Sequence, residues 1–180
     1  MGQSLTGWLT GGIFNELQAK ILVVGLDGVG KTTILDKIER GKLVQTFPTV
    51  GFMIKTLQHK KTNFTMWDVG GRQQLRKLWK HYYTDSDAII FVVDSNDKDR
   101  LDESRDELHK MMSDEILKSV SLLILVNKQD LPNALNPNQL VTSLELNSIK
   151  QNWFIQPCQA NIGDGLNEGF EWLIQSLKNK

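Results

Sequence analysis

Residues 21–33 read ILVVGLDGVGKTT, and this stretch decides the architecture of the rest of the chain. A short apolar run ends at Gly25, and Gly25, Gly30, Lys31 and Thr32 fit G-x-x-x-x-G-K-[ST] between a strand and a helix. Asp27, Gly28, Val29 and Gly30 make a turn whose backbone N–H groups can wrap phosphate oxygens. The positive end of the helix opening at Lys31, Thr32 and Thr33 adds to that attraction. Lys31 is placed to reach β- and γ-phosphates, and the Thr32 hydroxyl to ligate Mg²⁺.

Outward from this loop the apolar runs recur: FTMWDVG (64–70), AIIFVVD (88–94), SLLILVN (121–127) and NWFIQPC (152–158). Near-continuous apolar strands indicate a sheet covered on both faces. Helical spacing lies between them, at Leu75, Leu78, Trp79 and Tyr82, and at Leu166, Phe170, Leu173, Ile174 and Leu177. The alternation predicts a doubly wound α/β domain of the P-loop NTPase class. Residues 52–68 read instead as two strands around the polar turn QHKKTN, one antiparallel hairpin on an otherwise parallel sheet. Residues 1–19 form an N-terminal appendage and 20–180 the domain itself.

The chain has 180 residues, suited to one domain. Its 21 basic and 21 acidic residues cancel, so no net field points to nucleic acid. A single cysteine, Cys158, excludes an internal disulfide framework and fits a reducing, cytoplasmic compartment. No apolar run is long enough to span a membrane, and no secretory leader opens the chain. The start MGQSLT matches M-G-x-x-x-[ST], a myristoylation signal on Gly2.

NKQD, residues 127–130, ends the SLLILVN strand. Asp130 there can accept both N–H donors of a guanine edge, a pair adenine lacks. Asn127 can brace the loop and Lys128 can lie along the base. Asp68, ending FTMWD, can hold Mg²⁺ through water, and the Gly71 N–H can sense a γ-phosphate. In TFPTVGF (46–52), Thr49 offers a hydroxyl to the same ion. Two adjacent glycines in WDVGGRQQ (67–74) imply a backbone that comes very close to something.

Taken in order, GLDGVGKTTIL, FPTVGF, WDVGGR, LWKHYY, IIFVVDSND, NKQDLP and GDGL resemble the Arf family of Ras-like small GTPases, over nearly the whole chain. The resemblance implies a six-stranded sheet with five helices on its two faces, and hydrolysis of bound GTP to GDP with Mg²⁺. It implies exchange factors, GTPase-activating proteins and effectors as partners, and a monomer in solution. Lys31, Thr32, Thr49, Asp68, Gly71, Asn127, Lys128 and Asp130 take the roles given above. Cys158, Gln159 and Ala160 look like the loop that contacts the guanine oxygen, with the Ala160 N–H donating. Phe52, Trp67 and Tyr82 match the aromatic triad shown to effectors. In such proteins the hairpin slides when the γ-phosphate arrives and expels an N-terminal helix. Here that helix would be 3–14, with a stripe of Leu5, Trp8, Leu9 and Ile13. A single myristoyl chain binds membranes marginally, and this stripe would be the second signal. Vesicle trafficking on Golgi or other endomembranes follows from the same resemblance.

Arg72 departs from the pattern, which has a water-orienting glutamine after the second glycine. A guanidinium donates and accepts nothing, so it is poorly made to hold a nucleophilic water, and Gln73 is displaced by one position. Very slow hydrolysis follows, or else Arg72 acts as an arginine finger in cis. Asp27, negative beside the γ-phosphate, is a second feature that would not help. A GTP-binding adaptor that scarcely cycles is the alternative to a regulated switch. A small-metabolite kinase would bind ATP and has no use for NKQD. The acidic DSNDKDRLDESRDE (94–107) reads as a solvated loop and helix start, and Arg76, Lys77 and Lys80 as a basic face.

Overall fold

A computed structural model describes residues 17–40, 51–59 and 62–179. The expectations for Gly2, the 3–14 helix and Thr49 fall outside the described residues. In chain order the elements are β1 (Leu17–Val24), α1 (Lys31–Arg40), β2 (Phe52–His59), β3 (Thr62–Val69), a 3-10 helix (Arg76–Tyr82) and β4 (Ala88–Asp94). They continue with α2 (Leu101–Met112), β5 (Ser121–Asn127), α3 (Pro137–Ser143), β6 (Asn152–Pro157) and α4 (Leu166–Lys178).

The six strands lie in the order β2-β3-β1-β4-β5-β6. All neighbours are parallel except β2 and β3, the hairpin legible in residues 52–68. β1 begins at Leu17, inside the segment read as an appendage, because Leu17–Ala19 pair with Thr62–Phe64 of β3. Successive residues of the central strands enter opposite cores. Ile21 and Val23 pack with Ile34 and Leu35 of α1 and Phe170 and Leu173 of α4. Leu22 and Val24 pack with Trp79, Leu108 and Met111 on the other face. The side-chain period of two therefore puts apolar residues at every position of a twice-covered strand.

Four α-helices are present among the described residues, one fewer than the resemblance implied. The 75–82 spacing belongs to the 3-10 helix instead. Its hydrogen bonds close over three residues, as in Leu78 N–H to Leu75 C=O and Tyr83 N–H to Lys80 C=O. α3 went unread in the sequence despite a local start signal. The Asn136 side chain accepts from Gln139 N–H, the Gln139 side chain accepts from Asn136 N–H, and Pro137 takes the first helical position.

Candidate nucleotide site

β1 and β4 are neighbours whose C-terminal ends connect in opposite directions, β1 through α1 toward β2 and β3, and β4 through α2 toward β5, which opens the crevice where ligands bind in such sheets. The loop from Gly25 to Gly30 sits there. Lys31 is buried, and its ammonium donates to the carbonyls of Gly25 at 2.9 Å and Leu26 at 2.8 Å. Burial pulls its pKa from 10.5 down to about 8, while Asp68 and Asp27 support the charged form. The lysine is held as a lid over the loop it follows, ready to exchange carbonyls for phosphate oxygens.

Thr32 lies in the first turn of α1, and its hydroxyl donates to Asp68 Oδ2 at 2.5 Å. The β1–β3 register, which aligns Val23 with Asp68, brings the carboxylate to that point. A hydroxyl and a carboxylate are hard oxygen ligands of the kind Mg²⁺ takes beside phosphates. The pair therefore fits the ion, with Thr32 and Asp68 as the residues to hold it.

The close approach implied by the double glycine is to the phosphate loop itself. A Cβ on Gly71 would stand 2.3 Å from Gly25 O, 2.3 Å from the Leu26 carbonyl carbon and 2.5 Å from Asp27 N. Gly70 N–H donates to Gly51 C=O at 2.9 Å, joining this loop to the start of β2. Arg72, Gln73 and Gln74 are exposed. Arg76 is not part of a basic surface. It is buried, donating to Gly71 C=O at 2.8 Å and to Glu103 at 2.8 Å, with Glu107 at 3.4 Å.

The acidic segment 94–107 is likewise more than a solvated run. Arg100 meets Asp27 Oδ1 at 3.3 Å and the Asp27 carbonyl at 3.2 Å, and Arg76 lies 4.0 Å from the same carboxylate. The Asp27 charge is thus partly neutralised where the sequence left it bare. Asp94 is buried against Lys128 Nζ at 2.5 Å, and Ser95 Oγ donates to Asn127 C=O at 2.7 Å. Neither partnership has a sequence signature, because each joins strand ends about thirty residues apart.

Asn127 ties three loops together. Its Nδ2 donates to Val29 C=O at 2.9 Å, and its Oδ1 accepts from Ala160 N–H at 3.0 Å. A Cβ on Gly30, whose φ is +99°, would come within 2.4 Å of that Nδ2, so the phosphate loop and NKQD fit only with glycine there. The Ala160 N–H, expected to serve a guanine oxygen, donates to the Asn127 amide in this structure. The Val29 bond fixes the amide so that its oxygen faces residue 160. Lys128 has φ +67°, a strained conformation for lysine that the Asp94 pair holds. Asp130 is exposed, with Asn161 Nδ2 at 3.3 Å. Gln159 N–H goes to Asp164 C=O at 3.0 Å. Cys158 is buried with its Sγ 3.8 Å from Asn127 Oδ1, and desolvation pushes its pKa up to about 12.

That thiol is expected to react with an alkylating reagent at pH 8 about a thousandfold more slowly than an ordinary cysteine, since only the thiolate attacks. Timed alkylation read by intact mass, native against urea-unfolded, checks this, and equal rates would show that the loop opens freely.

Phe52, Trp67 and Tyr82 meet at one edge of the sheet, with Tyr82 5.7 Å from Phe52 and 5.5 Å from Trp67 between ring centroids. Phe52 is 53% exposed and Tyr82 half-buried, but Trp67 is covered. The surface is thus made by Phe52 and Tyr82, with Trp67 beneath them.

A model of the ADP-ribosylation factor (Arf) family matches residues 9–177. The chain belongs to the Arf family. It is 48% identical over 164 residues to ADP-ribosylation factor J of Dictyostelium discoideum, covering 91% of this chain and 87% of that protein. Among solved structures it resembles the Arl6 BBS3 small GTPase of Trypanosoma brucei, bound to the nucleotide analogue GppNp. The TM-score is 0.85 at 32% identity, over 90% of this chain and 98% of that one. As an Arf-family small GTPase it binds GTP and GDP with Mg²⁺ and hydrolyses GTP. The Mg²⁺ supplies positive charge for the phosphates during that reaction. Exchange factors, GTPase-activating proteins and effectors go with the family.

Proposed function

We propose that this protein is a membrane-attached GTP switch of vesicle trafficking that dwells in its GTP state because it hydrolyses slowly. The observation that carries the switch is the Gly70 N–H bond to Gly51 C=O, which connects the phosphate-facing glycines to the strand that begins with Phe52. In this reading the Gly71 N–H senses the γ-phosphate, Thr49 completes the Mg²⁺ shell, and Asp130 selects guanine. Effectors then dock on Phe52 and Tyr82, with Trp67 as their support. Cytoplasmic when GDP-bound, the protein attaches to Golgi or other endomembranes through acylated Gly2 and the apolar stripe of Leu5, Trp8, Leu9 and Ile13. Slow turnover rests on Arg72, exposed at the position that needs an acceptor.

A myristoylated sample loaded with GppNp is expected to float with neutral liposomes in a sucrose gradient, and the GDP-loaded sample to stay at the bottom. If the GppNp form stays down, or if both forms float equally, attachment is not coupled to the nucleotide and the reading fails.

A further inference from the structure

We infer that Trp79 and Arg76 are positioning residues that set the direction of the Gly71 N–H and pass its state to the aromatic surface at Tyr82. The inference rests on the reading of Gly71 as the γ-phosphate sensor.

The buried Trp79 indole donates from Nε1 to Gly70 C=O at 3.2 Å. That carbonyl and the Gly71 N–H belong to one planar trans peptide, so they point in opposite directions. Holding the carbonyl therefore aims the N–H. Accepting a hydrogen bond also polarises the peptide and makes its N–H a better donor to an anion. Arg76 does the same for the next peptide, donating from Nε to Gly71 C=O at 2.8 Å. Its guanidinium is anchored from the far side by Glu103 at 2.8 Å and Glu107 at 3.4 Å of α2. Two consecutive peptides are thus clamped by one helix.

The 3-10 winding makes this possible. At three residues per turn, side chains at i and i+3 eclipse, so Arg76, Trp79 and Tyr82 form a single row. An α-helix would rotate each successive member away by about 60°. The first two members of the row grip the glycine peptides, and the third meets Phe52 and Trp67. Movement of the Gly70–Gly71 peptide toward a γ-phosphate must pull on Trp79, which packs edge-on against Phe91 at 6.5 Å and cannot yield alone. The whole row moves, and Tyr82 with it.

Trp79→Phe keeps an aromatic ring and removes the donor. It is expected to lower the preference for GppNp over GDP about tenfold, the worth of one hydrogen bond governing an anion contact, while GDP affinity stays within about twofold. A purely structural tryptophan would lower the melting temperature and weaken both nucleotides alike, and that outcome overturns the inference. Arg76→Lys, which keeps the charge beside Glu103 but cannot also reach Gly71 C=O, is expected to shift the preference in the same direction. The Gly71 amide resonance in ¹⁵N-glycine-labelled protein separates the two layers of the argument. If it fails to move between GDP and GppNp in wild type, the sensor reading is at fault. If it moves in wild type and moves identically in Trp79→Phe, the positioning role is refuted.

Discussion

Lys55→Met is expected to destabilise the protein by about 3–5 kcal/mol. Lys55 projects from the edge strand β2 into the space under α1, where it is buried and pairs with Asp36, itself buried. Glu39, one turn further along α1, lies 3.3 Å from the same ammonium. Removing the lysine leaves the Asp36 carboxylate desolvated and uncompensated, whereas Glu39 is exposed enough to turn to water. For a chain of this size the loss corresponds to a fall in melting temperature on the order of 10 °C. Lys55→Met with Asp36→Leu is expected to recover most of it, because an apolar pair of similar volume fills the site without a stranded charge. On this expectation the pair contributes to register more than to net stability. A one-residue slip of β2 would turn Lys55 to the Phe52 face and bring an apolar or hydroxyl residue over Asp36. Among the described residues β2 is paired on one side only, by β3, so no second strand there helps to fix it. Calorimetric melting of the single and double variants decides the matter. A single-variant loss below about 1 kcal/mol would make this a solvated ion pair.

That pair illustrates which parts of the molecule were legible in the sequence. The five parallel strands, the hairpin and α4 follow from local periodicity, and the phosphate loop and NKQD from fixed spacing, since each involves neighbours along the chain. Lys55 with Asp36, Asp94 with Lys128 and Arg100 with Asp27 do not. Each pair joins separate elements, and whether a charge is solvated or buried depends on a register that composition does not encode. Arg76 was misread for the same reason. In RKLWKHYY it looks equivalent to Lys77 and Lys80, yet only Arg76 lies three residues before Trp79 on the buried row. The 3-10 helix escaped notice because i, i+3 spacing is common to both helix types. What distinguishes them here is the tether of Arg76 and Trp79 to two adjacent carbonyls, a tertiary constraint. Ala160 shows the limit at the site itself: its N–H is directed by an amide 33 residues away, a contact that no local pattern encodes.

Arg72→Gln is expected to raise single-turnover hydrolysis of bound GTP on the order of a hundredfold when an Arf-type GTPase-activating domain is present. The chemistry of the group gives the direction. A water poised for attack must donate one hydrogen bond to an acceptor, and a glutamine amide both accepts and donates, whereas a guanidinium only donates. Arg72 follows a glycine pressed against the phosphate loop, so its backbone is close to that loop while its side chain is exposed. A glutamine there would start from the right place. Gln73, also exposed, sits one residue further along the chain from Gly71. Asp27 is not expected to slow turnover, because Arg100 and Arg76 offset its charge. The opposing possibility is that Arg72 swings onto the γ-phosphate as a finger in cis. In that case wild type turns over well, and Arg72→Gln slows it. Rapid-quench measurement on both proteins, with and without the activating domain, separates the two by the sign of the change. A nearly inert wild type rescued by glutamine identifies Arg72 as the residue that blocks hydrolysis and keeps the protein in its GTP state.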